Sequence, residues 1–216
     1  MILLDKKLCF PNVNSASPEG IVAIGGDLSS KRLLLAYKSG IFPWYNEGEP
    51  IIWYSPNPRM VLFPKQLKIS KSMRRVLRNK TFEVTYNQNF KEVIANCKTI
   101  NRKEQPGTWI TNEMQQAYNK LHTLGIAKSV EVWQNKQLVG GLYGIDLGNV
   151  FCGESMFSKV SNASKAAFIY LTQKLEKENY KLIDCQVYNK HLASLGAIEI
   201  TRNDFLENLK MLPEVH

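Results

Sequence analysis

The stretch Ser129-Val130-Glu131-Val132-Trp133-Gln134-Asn135-Lys136-Gln137-Leu138, continuing as VGGLYGIDLGNVFCGESMF (139–157), decides the fold. It reads as a three-stranded meander: Ser129–Gln134, a turn at Asn135-Lys136, Leu138–Leu147, a turn near Gly148-Asn149, and Val150–Phe157. Gly140, Gly141 and Gly144 fall inside a strand. Glycine weakens pairing there, so a bulge or a close approach by another part of the chain is expected. Downstream, Ser161 or Asn162 caps a long helix to about Glu178 whose inner face carries Phe168, Leu171 and Leu175. A strand over Lys181–Val187 and a short helix near His191–Leu195 follow. Upstream, helices are expected over Phe90–Cys97, with Phe90, Val93, Ile94 and Cys97 on one face, and from Thr111 to about Leu124, with Met114, Ala117, Tyr118 and Leu121 inward and Gly125 as the stop.

Within these strands the polar residues stand out. Side chains alternate faces along a strand. By that rule Asp184 and Gln186 share one face, while Ile183, Cys185 and Val187 share the other. Glu154 and Met156 are likewise expected to point together. Two carboxylates and a carboxamide beside an apolar wall describe a site for a cation or an amine, because an ordinary core avoids the desolvation they require.

Composition bounds the rest. The chain has 216 residues, 44% hydrophobic and 22% charged, as in an ordinary globular protein with a sizeable core. It holds no apolar run long enough to span a bilayer. Its start, Met1-Ile2-Leu3-Leu4-Asp5-Lys6-Lys7, lacks the order of a signal peptide, so a cytoplasmic location is expected. Cys9, Cys97, Cys152 and Cys185 form no CxxC pair, and His122, His191 and His216 are scattered. No metal is expected.

The formal net charge of +9 suits a polyanionic partner, nucleic acid first. Ser70 is a good N-cap for a helix in which Met73, Val76 and Leu77 make the buried stripe. Lys71, Arg75 and Arg78, at i, i+4 and i+7, form one exposed cationic stripe. Like charges at that spacing repel unless an anion meets them, and a ladder of phosphates would do so. A solvated helix face is the plainer alternative.

Residues 1–58 differ from the remainder. They hold Gly25-Gly26-Asp27-Leu28, a short helix over about Ser30–Ser39 with Gly40 as its stop, and two proline- and aromatic-rich runs, 41–45 and 53–59. Prolines this dense are expected to break regular structure and hold Trp44, Trp53 and Tyr54 in loops of a small lobe. Gly25-Gly26 lacks the GxxxxGK[ST] pattern of a phosphate loop. The expected division is 1–58 for a small N-terminal domain and 59–216 for the larger one.

The order meander, helix, strand, short helix resembles the GNAT acyltransferase fold. The phrases GGDL (25–28), GIFPW (40–44), WYSPNPR (53–59), GTWIT (107–111), SVEVW (129–133), LVGGLYG (138–144), FCGESMFS (151–158), NASK (162–165), LIDCQV (182–187) and SLGA (194–197), in this order and across nearly the whole chain, resemble the leucyl/phenylalanyl-tRNA–protein transferase family. The likeness departs at Leu171 and Leu175, where aromatic residues are expected, and at Asn79, which interrupts a basic run. The fold it implies is α/β (α+β): a small N-terminal lobe plus a GNAT-like acyltransferase domain with a mostly antiparallel central sheet.

The resemblance implies an aminoacyltransferase. Such an enzyme moves Leu or Phe from aminoacyl-tRNA to the N-terminal amine of proteins starting with Arg or Lys, marking them for N-end-rule degradation. It is expected to act as a cytoplasmic monomer. The donor is an activated ester, so no cofactor is expected. Lys71, Arg75 and Arg78 would meet tRNA. The aminoacyl pocket carried over is Trp44, Trp109, Leu142, Met156, Phe168, Leu171, Leu175 and Ile183. Asp184 and Gln186 would orient and polarise the amine with Glu154 close by, and Glu154 and Asp184 would attract the acceptor's cationic first residue. An acyl-CoA enzyme, which would need a glycine-rich pyrophosphate loop, and a tRNA-binding module without activity are the other classes.

Overall fold

The computed structural model describes residues 2–100 and 110–210. Among these, the strands are β1 (Ile2–Leu4), β2 (Ile21–Gly25), β3 (Phe42–Pro43), β4 (Ile52–Tyr54), β5 (Arg59–Leu62), β6 (Glu83–Tyr86), β7 (Ala127–Gln134), β8 (Gln137–Asp146), β9 (Val150–Ser158), β10 (Leu182–Gln186) and β11 (Ile198–Ile200). The α-helices are α1 (Ser30–Lys38), α2 (Lys71–Arg78), α3 (Phe90–Thr99), α4 (Asn112–Thr123), α5 (Ala163–Lys177), α6 (Lys190–Ser194) and α7 (Arg202–Lys210). The strands form a four-stranded sheet, β1-β2-β4-β3, and a seven-stranded sheet, β11-β5-β10-β9-β8-β7-β6. In the larger sheet β9 and β10 pair in parallel and every other neighbouring pair is antiparallel. The parallel pair is a consequence of the long helix α5, which carries the chain back before β10 begins. The α/β (α+β) class with a mostly antiparallel central sheet is as expected.

Local signals act where they stand. Ser70 Oγ accepts from Met73 N and starts α2, and Thr111 Oγ1 does the same for α4 through Met114 N. Gly40 and Gly125 take the left-handed conformation that closes a helix. Asn162 is the N-cap residue of α5, but its side chain caps nothing; its backbone is left-handed, and Ser158 Oγ accepts from Ser164 N instead. The meander turn at Asn135-Lys136 has both residues at positive φ, as a two-residue hairpin requires. The proline-rich runs correct one expectation. Phe42–Pro43 and Ile52–Tyr54 are short strands rather than loops, paired with each other, and Trp53 is fully buried.

The larger sheet separates two apolar clusters. On one face Tyr143, Ile145, Val150 and Cys152 pack with α3, α4 and the N-terminal residues Tyr37, Ile41 and Trp53. On the other, Leu142, Phe151 and Ile183 pack with Ala163, Ala167 and Phe168 of α5. The strand glycines allow this closeness. A Cβ on Gly140 would lie 2.6 Å from Ala163 Cβ, and one on Gly144 would lie 2.3 Å from the Cys152 carbonyl oxygen. The β8–β9 register also shifts between Tyr143 and Gly144, so bulge and close approach occur together.

Candidate active site

The site lies where the parallel strands part. β9 and β10 pair through Leu182–Val150, Ile183–Phe151 and Asp184–Cys152, and the pairing ends there. Just beyond, both strands bulge: Tyr143 faces Ser155 while Gly144 faces Gly153, leaving Glu154 as the extra residue. In β10, Asp184 faces Val61 while Gln186 faces Met60, leaving Cys185 as the extra residue. A cleft of about 840 Å³ opens between the diverging ends.

The bulges change which side chains meet. Glu154 turns toward α4, where Tyr118 Oη donates to its Oε2 at 2.9 Å. Met156 packs against the α5-side cluster. Glu154 and Met156 therefore do not point together, because the extra residue in β9 resets the alternation. Gln186 stays on the Glu154 side, and its Nε2 donates to Glu154 Oε1 at 2.8 Å. It does so from a left-handed backbone, φ 65°, a conformation uncommon outside glycine and asparagine.

Asp184 lines the cleft as the acid of a buried ion pair. It is 0% exposed, and Arg59, 1% exposed, grips it with Nε on Oδ1 at 2.8 Å and Nη2 on Oδ2 at 2.6 Å. Asp184 Oδ1 also accepts the backbone N–H of Gln186 at 2.9 Å. The Arg59 guanidinium offsets its charge, which weakens its pull on a second cation.

Glu154 is different. Burial pushes its carboxyl up to about 7, against the hydroxyls of Tyr37 and Tyr118, which hold it down; the negative Asp184 adds to the rise. The two tyrosine hydroxyls also contact each other. Burial raises both phenols well above their ordinary value, so both stay protonated and serve as donors at neutral pH.

Of the expected aminoacyl pocket, Trp44, Leu142, Met156, Phe168, Leu171 and Ile183 line the cleft together with Glu154, Asp184 and Gln186. Leu175 lies one turn further along α5 and lines a separate cavity of about 150 Å³ with Tyr86 and Lys174. Trp109 lies outside the described residues. Lys71, Arg75 and Arg78 stand exposed on α2 with Met73 buried beneath them, and none forms an ion pair with a described residue. Sequence reasoning missed Arg59, Tyr118 and Tyr37 as site residues. The signal for Arg59 is a lone charge opening the apolar strand Met60-Val61-Leu62, which demands a buried acid. For the tyrosines it is a phenol on an inward helix face, which needs a polar partner.

The mixed sheet thus sets a buried carboxylate and an apolar cleft where its two parallel strands part. Two family models match the chain: "Leucyl/phenylalanyl-tRNA protein transferase" over residues 61–210, and the N-terminal domain of the same name over residues 26–57. The leucyl/phenylalanyl-tRNA–protein transferase of Flavobacterium johnsoniae is 68% identical over 97% of this chain and 99% of its own length. That of Flavobacterium psychrophilum is 60% identical over 97% and 100%. The chain belongs to the leucyl/phenylalanyl-tRNA–protein transferase family, and it is a transferase. Among solved structures it is similar to a ribosomal-protein-alanine N-acetyltransferase from Brucella melitensis biovar Abortus, with a TM-score of 0.37 and 10% identity over 63% of this chain and 94% of that one.

Proposed function

We propose that this protein moves Leu or Phe from aminoacyl-tRNA to the N-terminal amine of proteins that begin with Arg or Lys, marking them for N-end-rule degradation. The observation that supports this best is the meeting, in one cleft, of an apolar wall and a buried carboxyl of near-neutral pKa. The wall of Trp44, Leu142, Met156, Phe168, Leu171 and Ile183 receives the aminoacyl side chain. It rejects charged side chains by desolvation and ranks apolar ones by shape, worth about 1–3 kcal/mol per methylene. Lys71, Arg75 and Arg78 take tRNA phosphates.

The acceptor amine has an ordinary pKa of about 7.7–8.0 and must lose a proton before attack. Asp184 is committed to Arg59, so Glu154 is the acid that takes it. A carboxylate near pKa 4 would be a weak base for this purpose; burial brings Glu154 into range. The amine nitrogen then attacks the ester carbonyl carbon, the amide C–N bond forms, and the bond to the terminal ribose oxygen breaks. That oxygen leaves as a hydroxyl with the second proton, which the attacking nitrogen sheds as it becomes an amide. Gln186 keeps Glu154 oriented through its carboxamide N–H, and most of the rate comes from holding amine and ester together. The energy resides in the ester, so the reaction draws on neither ATP nor a metal. The protein acts as a cytoplasmic monomer; no described helix is long and apolar enough to cross a membrane.

The test is transfer of labelled leucine from charged tRNA to a peptide beginning with Arg. Label is expected on that peptide and not on one beginning with a neutral residue. Absence of transfer together with binding of acetyl-CoA would favour an acyl-CoA enzyme.

A further inference from the structure

Gln186 is held in an unfavourable backbone conformation, and the forces that hold it there are visible. A non-glycine residue at φ 65° persists only where its surroundings over-determine it. Its own carboxamide reaches outward to Glu154, so it does not anchor the backbone. The anchor is Asp184 Oδ1, which accepts the Gln186 N–H. That carboxylate is in turn fixed by the two-point grip of Arg59, whose strand pairs antiparallel with β10.

Arg59 is itself unusually constrained. Its Nη1 donates to the Gly40 carbonyl at 3.2 Å, at the end of α1. Its guanidinium lies over the rings of Phe42, 4.8 Å from the centroid, and Phe205, 4.5 Å away. Phe42 and the neighbouring Trp44 belong to the cleft wall. One side chain thus joins the N-terminal sheet, the first strand of the larger domain and the last helix, and aims at the acid beneath Gln186. A core could close over apolar residues more cheaply than over a buried ion pair. The pair therefore needs a reason beyond stability.

We propose that Arg59 is a positioning residue of the transfer reaction: through Asp184 it fixes the left-handed turn at Gln186 that keeps the carboxamide on Glu154. Asp184 is then a positioning residue as well, acting on the backbone without touching substrate. The inference rests on the transfer reading for its rate consequence and on geometry alone for its structural one.

The experiment uses the full chain and two readouts, hydrogen exchange at the Gln186 amide and steady-state transfer from Leu-tRNA. The variant is the double substitution Arg59→Met with Asp184→Asn, which keeps an oxygen acceptor at position 184 and leaves no uncompensated charge. Expected are loss of exchange protection at Gln186, a kcat lower by about 100-fold and an unchanged donor KM, since a misplacement of about 1 Å can produce such a loss. A kcat at the wild-type level, retained protection at Gln186, or a loss confined to donor KM would overturn the proposal. If the double variant does not fold, Arg59→Lys decides. It retains the cation but presents no planar fork, so Gln186 protection and kcat should both fall. Wild-type values for both would overturn the proposal. Wild-type protein that transfers nothing would sink the transfer reading, while the exchange result would still decide whether Arg59 holds the turn.

Discussion

The Tyr118 hydroxyl donates to Glu154 Oε2 at 2.9 Å, joining the middle of α4 to the bulge in β9. The bond lowers the proton affinity of Glu154, which among the described residues has no cationic partner. Tyr118 stabilises the ionised form of Glu154, against burial, which favours the neutral form.

Tyr118→Phe removes that donor. Glu154 should then hold its proton to higher pH, and the acidic limb of the transfer rate should move in the alkaline direction. Stability should fall by about 1 kcal/mol, the ordinary net worth of one hydrogen bond. A rate profile recorded from pH 6 to 9 checks the shift. A limb that stays in place while the rate drops uniformly would mean that Tyr118 serves only the packing of α4.

Glu154→Gln should change how stability depends on pH. The Glu154 carboxyl has its folded value raised from 4.5 to about 7. Below 4.5 it is protonated in both the folded and unfolded chain and contributes no difference. Between 4.5 and 7 the unfolded chain releases the proton first, so this group makes the wild type progressively less stable as pH rises. The variant lacks that loss. Its melting temperature relative to wild type should rise across this window and level off above pH 7, and a constant difference across the window would contradict the raised value.

Changing Lys71, Arg75 and Arg78 together to Ala should weaken tRNA binding and flatten its dependence on salt, because fewer phosphates are neutralised. All three are exposed on α2, so each should change folding stability by no more than about 0.5 kcal/mol. Binding measured between low and physiological salt gives the slope. A short analogue that carries only the terminal adenosine and its aminoacyl group should bind as before. If the analogue loses as much as whole tRNA, the helix serves the cleft and not the phosphates.

Met156→Asp would place a carboxylate on the apolar wall of the cleft. Met156 is only half-buried, so the fold should survive while leucine transfer is abolished. Affinity for uncharged tRNA should persist through α2. Transfer at the wild-type level would remove Met156 from the aminoacyl wall.

The meander was legible because two signals agree there: alternation along Val130–Trp133 and tight turns at Asn135-Lys136 and Gly148-Asn149. Helix α2 was legible because Ser70 caps it and Met73, Val76 and Leu77 fall on one face. Alternation fails at Glu154 and Cys185, since a bulge depends on the partner strand's register, and that information lies elsewhere in the chain. The pairing of Asp184 was hidden for a related reason. Its partner, Arg59, is 125 positions away, and only the closed β5–β10 pairing brings them together. Strands β3 and β4 are so short that their pairing with each other and with β2, rather than local preference, makes them strands.

The central claim is that Glu154 accepts the amine's proton in this cleft, and its most direct test is a single-turnover pH profile. Leucine is transferred from charged tRNA to an Arg-initiated peptide by wild type and by Glu154→Gln, from pH 6 to 9. The wild-type rate should rise through an ionisation near 7 in addition to that of the amine, and the variant should lose that ionisation and about 100-fold or more in rate, within the range general-base catalysis supplies. A variant that keeps the wild-type rate, or a wild-type profile that follows the amine alone, would contradict the assignment.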